Sequence, residues 1–180
     1  MHKVLRIAAL AAIAASLLPA STLRQLSLDQ MILQSTMIVR GTVQPGAPAL
    51  RGSMIFTHYT VLVTEIYKGP AASQIDFGVP GGTLNGMIQK YAGTPALSPG
   101  QDYVLFLWTS KTGLTQLIGL SQGLFSVISI QGAAPMVVRA AAAERMLNSA
   151  GQPVLDNDIR MPLSDLKTQI QTVLSGQGAQ

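Results

Sequence analysis

The chain of 180 residues is long enough for one domain with a sizeable core, and 48% hydrophobic against 11% charged residues excludes a disordered chain. It contains no cysteine, which excludes disulfides, thiolate metal sites, cysteine nucleophiles and a lipoprotein anchor. Its formal net charge is +4, but its basic residues form no run, so the sequence predicts no nucleic-acid partner.

The first twenty residues have the pattern of a secretory signal peptide. Lys3 and Arg6 give a positive start, an apolar run covers residues 7–18, and small residues follow from Ala20. A membrane-spanning helix needs about 20 apolar residues, which is more than this run supplies. We expect residues 1–20 to be a signal peptide cut after Ala20 or Thr22, the alternative being an uncleaved N-terminal anchor or a buried helix.

Export determines the expected location and charge of the remaining chain. We expect a secreted or periplasmic protein with a single domain over residues 21–180 and no transmembrane segment once the signal is removed. Because Lys3 and Arg6 belong to the signal, the remainder carries ten basic against eight acidic residues and is nearly neutral.

The first half of this domain is rich in β-branched and apolar runs. A short helix is expected over Leu23–Gln34, with Ser27 or Asp29 as its cap. The following segments are, in order, a strand over 36–43, a loop over Gln44–Ser53, a long strand over Met54–Tyr67 and a short strand over Ile75–Val79.

The second half begins with a connection rich in glycine, Gly81–Gly100, with an extended stretch near Met87–Tyr91. The segments after it are, in order, a buried strand over Tyr103–Trp108, a strand pair over 114–120 and 124–130, a strand over Met136–Arg139, a helical turn or irregular insertion over Ala140–Met146, and a final helix over Asp165–Leu174, capped by Ser164 and followed by Gly176. This pattern predicts a mainly β fold, an antiparallel OB-like barrel or small sandwich of about five to seven strands with an N-terminal and a C-terminal helix.

One short motif resembles a catalytic site. Residues 119–123 match the G-x-S-x-G nucleophile elbow around Ser121, but that elbow needs a histidine later in the chain. After the signal the one histidine is His58, which lies upstream, so a hairpin turn is the favoured interpretation.

Two further motifs match those of penicillin-binding proteins, but in the reverse order. They are Ser164-x-x-Lys167, which is interpreted as a helix cap, and Lys111-Thr-Gly113, which is interpreted as a turn.

The sequence also gives little indication of a metal site or an anion site. One histidine and no cysteine make a zinc site improbable, and Asp156-Asn-Asp158 lacks the further ligands of a calcium loop, so it is interpreted as a solvated turn. Gly81 and Gly82 could direct backbone N–H groups at an anion, although a sharp turn is the default interpretation. We therefore expect no metal and no cofactor.

Several segments resemble known exported domains. They are Ser35–Val43, Thr57–Gly69, Pro80–Gly82, Gly93–Pro95, Leu97–Gly100, Tyr103–Leu107 and Gly119–Phe125. The first two are similar to the opening of netrin-type and metalloproteinase-inhibitor-like domains, and the series is more similar to small exported bacterial proteins of unknown function. The resemblance implies an OB-type barrel. The inhibitors place an N-terminal cysteine on a protease zinc, and this chain has no cysteine for that role.

The favoured function is a non-catalytic binding or interaction domain that recognises a protein, a peptide or a saccharide. The candidate ligand-binding residues are Tyr59, Tyr91, Trp108, Gly81 and Gly82, beside the loops Gln44–Ser53 and Gly81–Gly100. One alternative is a small secreted hydrolase that uses Ser121 or His58 with a carboxylate such as Glu65. Another is a structural envelope protein that associates through strand edges.

Overall fold

A five-stranded barrel forms the centre of the computed structural model, which describes residues 22–142 and 144–177. The predicted signal peptide, residues 1–20, lies outside the described residues. The barrel strands are β2 (Met37–Val43), β4 (Met54–Lys68), β5 (Gln74–Pro80), β8 (Asp102–Thr109) and β9 (Thr115–Leu117). They pair in the order β2, β4, β5, β9, β8, and β8 returns to β2 to close the barrel.

The predicted fold class is confirmed, since 47% of the described residues are in strands and a helix lies near the C-terminus. All barrel pairs but one are antiparallel. The exception is β5 with β9, which are parallel where Gly78 faces Gln116. A closed barrel removes exposed strand edges, which helps a small β domain to remain unaggregated.

The remaining elements extend or cover the barrel. They are β1 (Thr22–Arg24), β3 (Ala47–Arg51), β6 (Gly82–Leu84), β7 (Met87–Gln89), β10 (Leu124–Ile128), β11 (Met136–Arg139), β12 (Arg145–Leu147), β13 (Pro153–Val154), β14 (Ile159–Pro162), α1 (Leu28–Gln34), α2 (Leu163–Gln177) and a 3₁₀ helix (Leu120–Gly123). Strands β10, β11 and β14 continue the sheet outward from β8, whereas β1, β12 and β13 form a separate small sheet.

Two hydrophobic cores meet at the strands that they share. One fills the barrel and includes Val61, Phe77 and Leu105. The other lies between the sheet extension and the two helices, where the rings of Phe106 and Phe125 are 5.3 Å apart. Strand β8 contributes to both cores, Leu105 to one and Phe106 to the other, which explains why it is apolar without alternation.

The helices differ from their predicted bounds at their ends. Helix α1 begins at Leu28, where Ser27 forms a capping box with Gln30, and residues 22–24 are a strand that pairs with β12. Helix α2 begins at Leu163, so Ser164 lies in its first turn and is not its cap. Helix α2 begins before Ser164 because Leu163 is buried in the core and its N–H donates to the Pro135 carbonyl. The helix also runs past Gly176. No helix among the described residues has the length and apolar character needed to cross a bilayer.

Two strand predictions are corrected. The segment Gln44–Ser53 is not entirely loop, since it contains β3, which pairs with the first residues of β4. Pro48 is tolerated there because β3 is an edge strand. Segments 114–120 and 124–130 do not pair with each other, and their strands β9 and β10 both run antiparallel to β8. The 3₁₀ helix between them shifts the chain along β8 without reversing it.

The long connection Gly81–Gly100 contains the β6–β7 hairpin, so the expected extended stretch near Met87 is confirmed. Its turn is Asn85-Gly86, with φ values of 49° and 79°, as a type I′ hairpin turn requires. The segment Ala140–Met146 is irregular at its start and ends in β12.

Candidate functional site

A cavity of about 320 Å³ opens at one end of the barrel, between β4, β5 and the β6–β7 hairpin. Tyr59, Tyr91, Gly81 and Gly82 all line it. Ligand pockets in proteins have volumes of about 300–1,000 Å³, so this one suits a small ligand or one residue of a longer one. The structure thus brings together four of the five predicted binding residues.

Tyr59 connects the cavity to the barrel core. It faces Phe77 across the β4–β5 pair, and the two rings stack with centroids 5.7 Å apart. Burial raises the pKa of the Tyr59 hydroxyl, and the nearby Tyr103 raises it further. Tyr59 therefore offers the cavity a neutral ring and hydroxyl, supported from behind by the core.

Gln89 fastens the hairpin to the start of β4. Its Oε1 accepts from the N–H of Ile55 at 2.6 Å, and its Nε2 donates to the Ser53 carbonyl at 2.9 Å. The Tyr91 hydroxyl donates to the same Oε1 at 3.2 Å. One side chain thus fixes β7 and orients Tyr91, so the cavity wall is formed without a ligand.

Gly81 and Gly82 allow the hairpin to approach β4 closely. Their φ values are +100° and +142°, and a Cβ on Gly82 would lie 2.7 Å from Thr57 Oγ1. Thr57 Oγ1 donates to the Gly81 carbonyl at 2.8 Å. The N–H of Gly81 donates to the Ile55 carbonyl, so it is not free to bind an anion and the anion-nest interpretation loses its first donor.

The predicted loop Gln44–Ser53 reaches the same place. Gly46 packs on the edge of Tyr59, because a Cβ there would lie 2.5 Å from Tyr59 Cε1 and 2.7 Å from Thr57 Cγ2. A Cβ on Gly82 would be 3.5 Å from Pro48 Cβ. Both predicted binding loops therefore adjoin β4 beside the cavity.

Trp108 lies elsewhere. It lines a separate groove of about 330 Å³, together with Arg24, Leu26 and Gln122, and it is 43% exposed. The reason is alternation along β8, because Leu107 before it points into the barrel core and Trp108 points out. Trp108 is therefore the one candidate binding residue that does not line the cavity with the tyrosines.

The residues of the hydrolase alternative are spread over the molecule. His58 and Glu65 are both on β4, but they are seven positions apart, which is about 20 Å along a strand. Glu65 instead pairs with Arg40 and Lys167. Burial alone would raise the pKa of Glu65, but hydrogen bonds from Lys167 and Arg40 lower it below its ordinary value. A carboxylate held in this way is a poor partner for His58.

Ser121 belongs to the 3₁₀ helix, not to a strand–helix elbow or a hairpin turn. Its neighbour Gln122 is the buried polar residue of the motif, 1% exposed. Gln122 Oε1 accepts from the N–H of Leu26 at 2.8 Å, and its Nε2 donates to the Arg24 carbonyl at 3.0 Å. The G-x-S-x-G segment therefore has a structural role, because its Gln122 side chain anchors residues 24–26.

Replacing Gln122 by leucine is expected to lower the free energy of unfolding by about 2 kcal/mol, because the part-buried Leu26 N–H and Arg24 carbonyl lose the Gln122 side chain as their partner. Ser121→Ala, the matched control one residue away, is expected to change it by less than about 0.5 kcal/mol. Urea unfolding followed by circular dichroism measures both. An equal loss in the two variants would contradict the anchoring role.

Asp156-Asn-Asp158 is not the fully solvated turn expected, because Asn157 and Asp158 are exposed but the Asp156 side chain is buried. The Asp156 side chain is 3% exposed and pairs with Arg139, whose side chain is 5% exposed, at 2.9 Å. Asp156 and Asp158 also accept from the N–H groups of Ala142 and Ala141. No group of His, Asp or Glu side chains within the described ranges is arranged to hold a metal ion.

Four further residues line the cavity that the sequence did not indicate as binding residues. They are Thr57, Gln89, Lys90 and Thr94. The hairpin that carries Gln89 and Lys90 has a sequence signal, because Asn85-Gly86 between two short apolar stretches is a strong hairpin pattern. A hairpin at that point brings residues 89–91 back beside Gly81 and Gly82.

Comparisons with known proteins assign no family. No protein-family model matches the chain, and no curated protein is significantly similar to it. The resemblance to netrin-type domains therefore stays a prediction, and the function has to be inferred from the cavity itself.

Proposed function

We propose that this protein is an exported, non-catalytic binding domain whose ligand enters the cavity between β4, β5 and the β6–β7 hairpin. The observation that carries the proposal is the convergence of Tyr59, Tyr91, Gly81 and Gly82 on one cavity. OB barrels bind through their second and third strands and the neighbouring loops. Strands β4 and β5 are the second and third barrel strands here.

The lining supports a ligand with both apolar and hydrogen-bonding groups. Tyrosine, proline and isoleucine side chains supply apolar surface, and the hydroxyls of Thr57, Thr83 and Thr94 supply polar atoms. Among the described lining residues, Lys90 alone carries a formal charge. A peptide segment or a saccharide ring combines these features, and a loop of a partner protein could present the same chemistry.

Two further features support the export and the absence of catalysis. The signal pattern of residues 1–20 favours a secreted or periplasmic location. The separation of His58 from Glu65, and the placement of Ser121 in a 3₁₀ helix, favour binding over hydrolysis.

Titration of the ¹⁵N-labelled protein with a panel of short peptides and oligosaccharides tests the proposal by NMR. We expect a ligand to shift the amide signals of Thr57, Thr83, Tyr91 and Thr94 before those of the β10–β11 region. Tyr91→Ala is expected to weaken that ligand about tenfold or more, as truncation of a central tyrosine in a binding site commonly does.

Trp108→Ala is the matched control, because it removes a ring of similar exposure from the separate groove. It is expected to leave the affinity unchanged. Signal changes confined to the Trp108 groove, or an equal loss of affinity in both variants, would place binding outside the cavity and refute the proposal.

A further inference from the structure

Exposed apolar side chains gather around the β6–β7 hairpin. Ile88 is 65% exposed, Leu50 51%, Met87 49%, Tyr91 38% and Met54 36%. We call this set of five side chains, with Arg51, Lys90 and Lys111, the hairpin end. Several neighbouring exposed apolar side chains on one surface mark a site of interaction.

Hydrogen bonds hold the segments that carry these residues side by side. The Gln89 side chain bonds both the N–H of Ile55 and the carbonyl of Ser53, which joins the β6–β7 hairpin to the β3–β4 turn. Arg51 Nη2 donates to Thr112 Oγ1 at 3.2 Å, which brings the turn containing Lys111 to the same end.

The charge of the hairpin end has one sign. The three segments that build it, residues 44–59, 79–95 and 109–116, contain Arg51, Lys90 and Lys111, and all eight acidic residues of the chain lie outside them. One carboxylate from outside contacts these segments, since Glu144 Oε1 accepts from the N–H of Gly93. In the chain as a whole, 12 basic residues are offset by 8 acidic ones, whereas the charged residues of these three segments are all basic.

We propose that the hairpin end docks on an anionic lipid surface. Met87 and Ile88 insert between the acyl chains, while Arg51, Lys90 and Lys111 lie at the level of the phosphate headgroups. A hairpin with exposed apolar side chains on the strand that follows its turn, and with flanking cations, suits the boundary between headgroups and acyl chains. A nucleic acid would match the cations but leave Met87 and Ile88 in water, so a lipid surface fits better.

Ile88, Lys90 and Tyr91 also line the ligand cavity, but the proposal does not depend on a cavity ligand. It has a local test because the chain contains no cysteine. Ile88→Cys and Ile130→Cys variants of the full chain are labelled with an environment-sensitive fluorophore. Ile88 and Ile130 are both 65% exposed, but Ile130 lies in the β10–β11 connection, away from the hairpin. Both variants carry the same N-terminal segment, so its contribution to membrane binding is common to both.

The probes are vesicles of phosphatidylcholine alone and vesicles of equal parts phosphatidylcholine and phosphatidylglycerol. The label at residue 88 is expected to shift to shorter wavelength with the anionic vesicles, and the label at residue 130 to stay unchanged. Lys90→Gln with Arg51→Gln is expected to lower the partition coefficient about fivefold per charge, and salt is expected to lower it further.

Two results would overturn the proposal. One is an unchanged signal at residue 88 on anionic vesicles, which would leave the exposed side chains to a protein partner or to another function. The other is an equal shift at residues 88 and 130, which would show that the hairpin end has no special part in the contact. Loss of ligand binding in the Tyr91→Ala variant does not affect either readout.

Discussion

Replacing Asp156 by asparagine is expected to lower the free energy of unfolding by about 3 kcal/mol at neutral pH, because removing one partner of a buried ion pair leaves the other charge uncompensated. Arg139 and Asp156 are 2.9 Å apart, with side chains 5% and 3% exposed. Arg139 also donates to the Asn157 carbonyl at 2.8 Å, and Asp156 Oδ2 accepts from Ala142 N–H. The pair therefore connects β11 to the segments on both sides of β12 and β13.

The loss is expected to depend on pH. Burial alone would raise the pKa of Asp156, but the hydrogen bond from Arg139 and the N–H of Ala142 outweigh it, so the pKa falls below its ordinary value of 3.8. A lowered pKa in the folded protein stabilises it at all pH values above the ordinary one, and this contribution disappears as the pH falls through the folded value. The difference between the native protein and Asp156→Asn should therefore persist at neutral pH and shrink below about pH 4.

Urea unfolding at a series of pH values measures this difference. Asp158→Asn is the matched control, since Asp158 lies two residues away, is exposed and accepts one backbone bond, from Ala141 at 2.7 Å. It is expected to cost less than about 1 kcal/mol. Equal losses in the two variants, or a loss at Asp156 that does not change with pH, would mean that the buried pair is not the source of the stability.

The second large effect is expected from Gly41→Ala, with a loss of about 3 kcal/mol or more, because overpacking against backbone leaves little room for relaxation. A Cβ at Gly41 would clash with the Leu62 carbonyl oxygen and lie 2.8 Å from Val61 Cγ2. Gly41 sits at the β2–β4 register shift, where Arg40 faces Glu65 and Gly41 faces Val63. A side chain there would force apart the strand pair that begins the barrel.

Gly176→Ala provides the matched control for Gly41. Gly176 lies in the last turn of α2, and a Cβ built there would meet no atom within 4 Å apart from its chain neighbours and the backbone of the helix itself. Alanine favours a helix over glycine, so this variant is expected to gain up to about 1 kcal/mol. Thermal unfolding of the two variants should give shifts of opposite sign, and a Gly41→Ala variant as stable as the native protein would contradict the close approach of β2 and β4.

The cavity was only partly predictable. Tyr59 and the Pro80–Gly82 turn lie next to each other in the fold because β4 and β5 are consecutive antiparallel strands, a local arrangement that the intervening turn favours. Gln89 was missed because its function is to satisfy the backbone groups of Ile55 on β4 and of Ser53 in the turn before it, 34 and 36 residues earlier in the chain. Nothing in a glutamine followed by lysine indicates such a contact.

The sequence by itself determined the mainly β class, the long strand of β4, the buried strand of β8 and the two helices. These features depend on alternation, β-branched runs and turn residues, which act over a few neighbouring positions. Only the tertiary structure decided that β9 and β10 both pair with β8, that Asp156 is buried against Arg139, and that Trp108 faces away from the tyrosines. Those outcomes depend on strand register and on which side of a strand each residue faces, and a shift of one residue reverses that side.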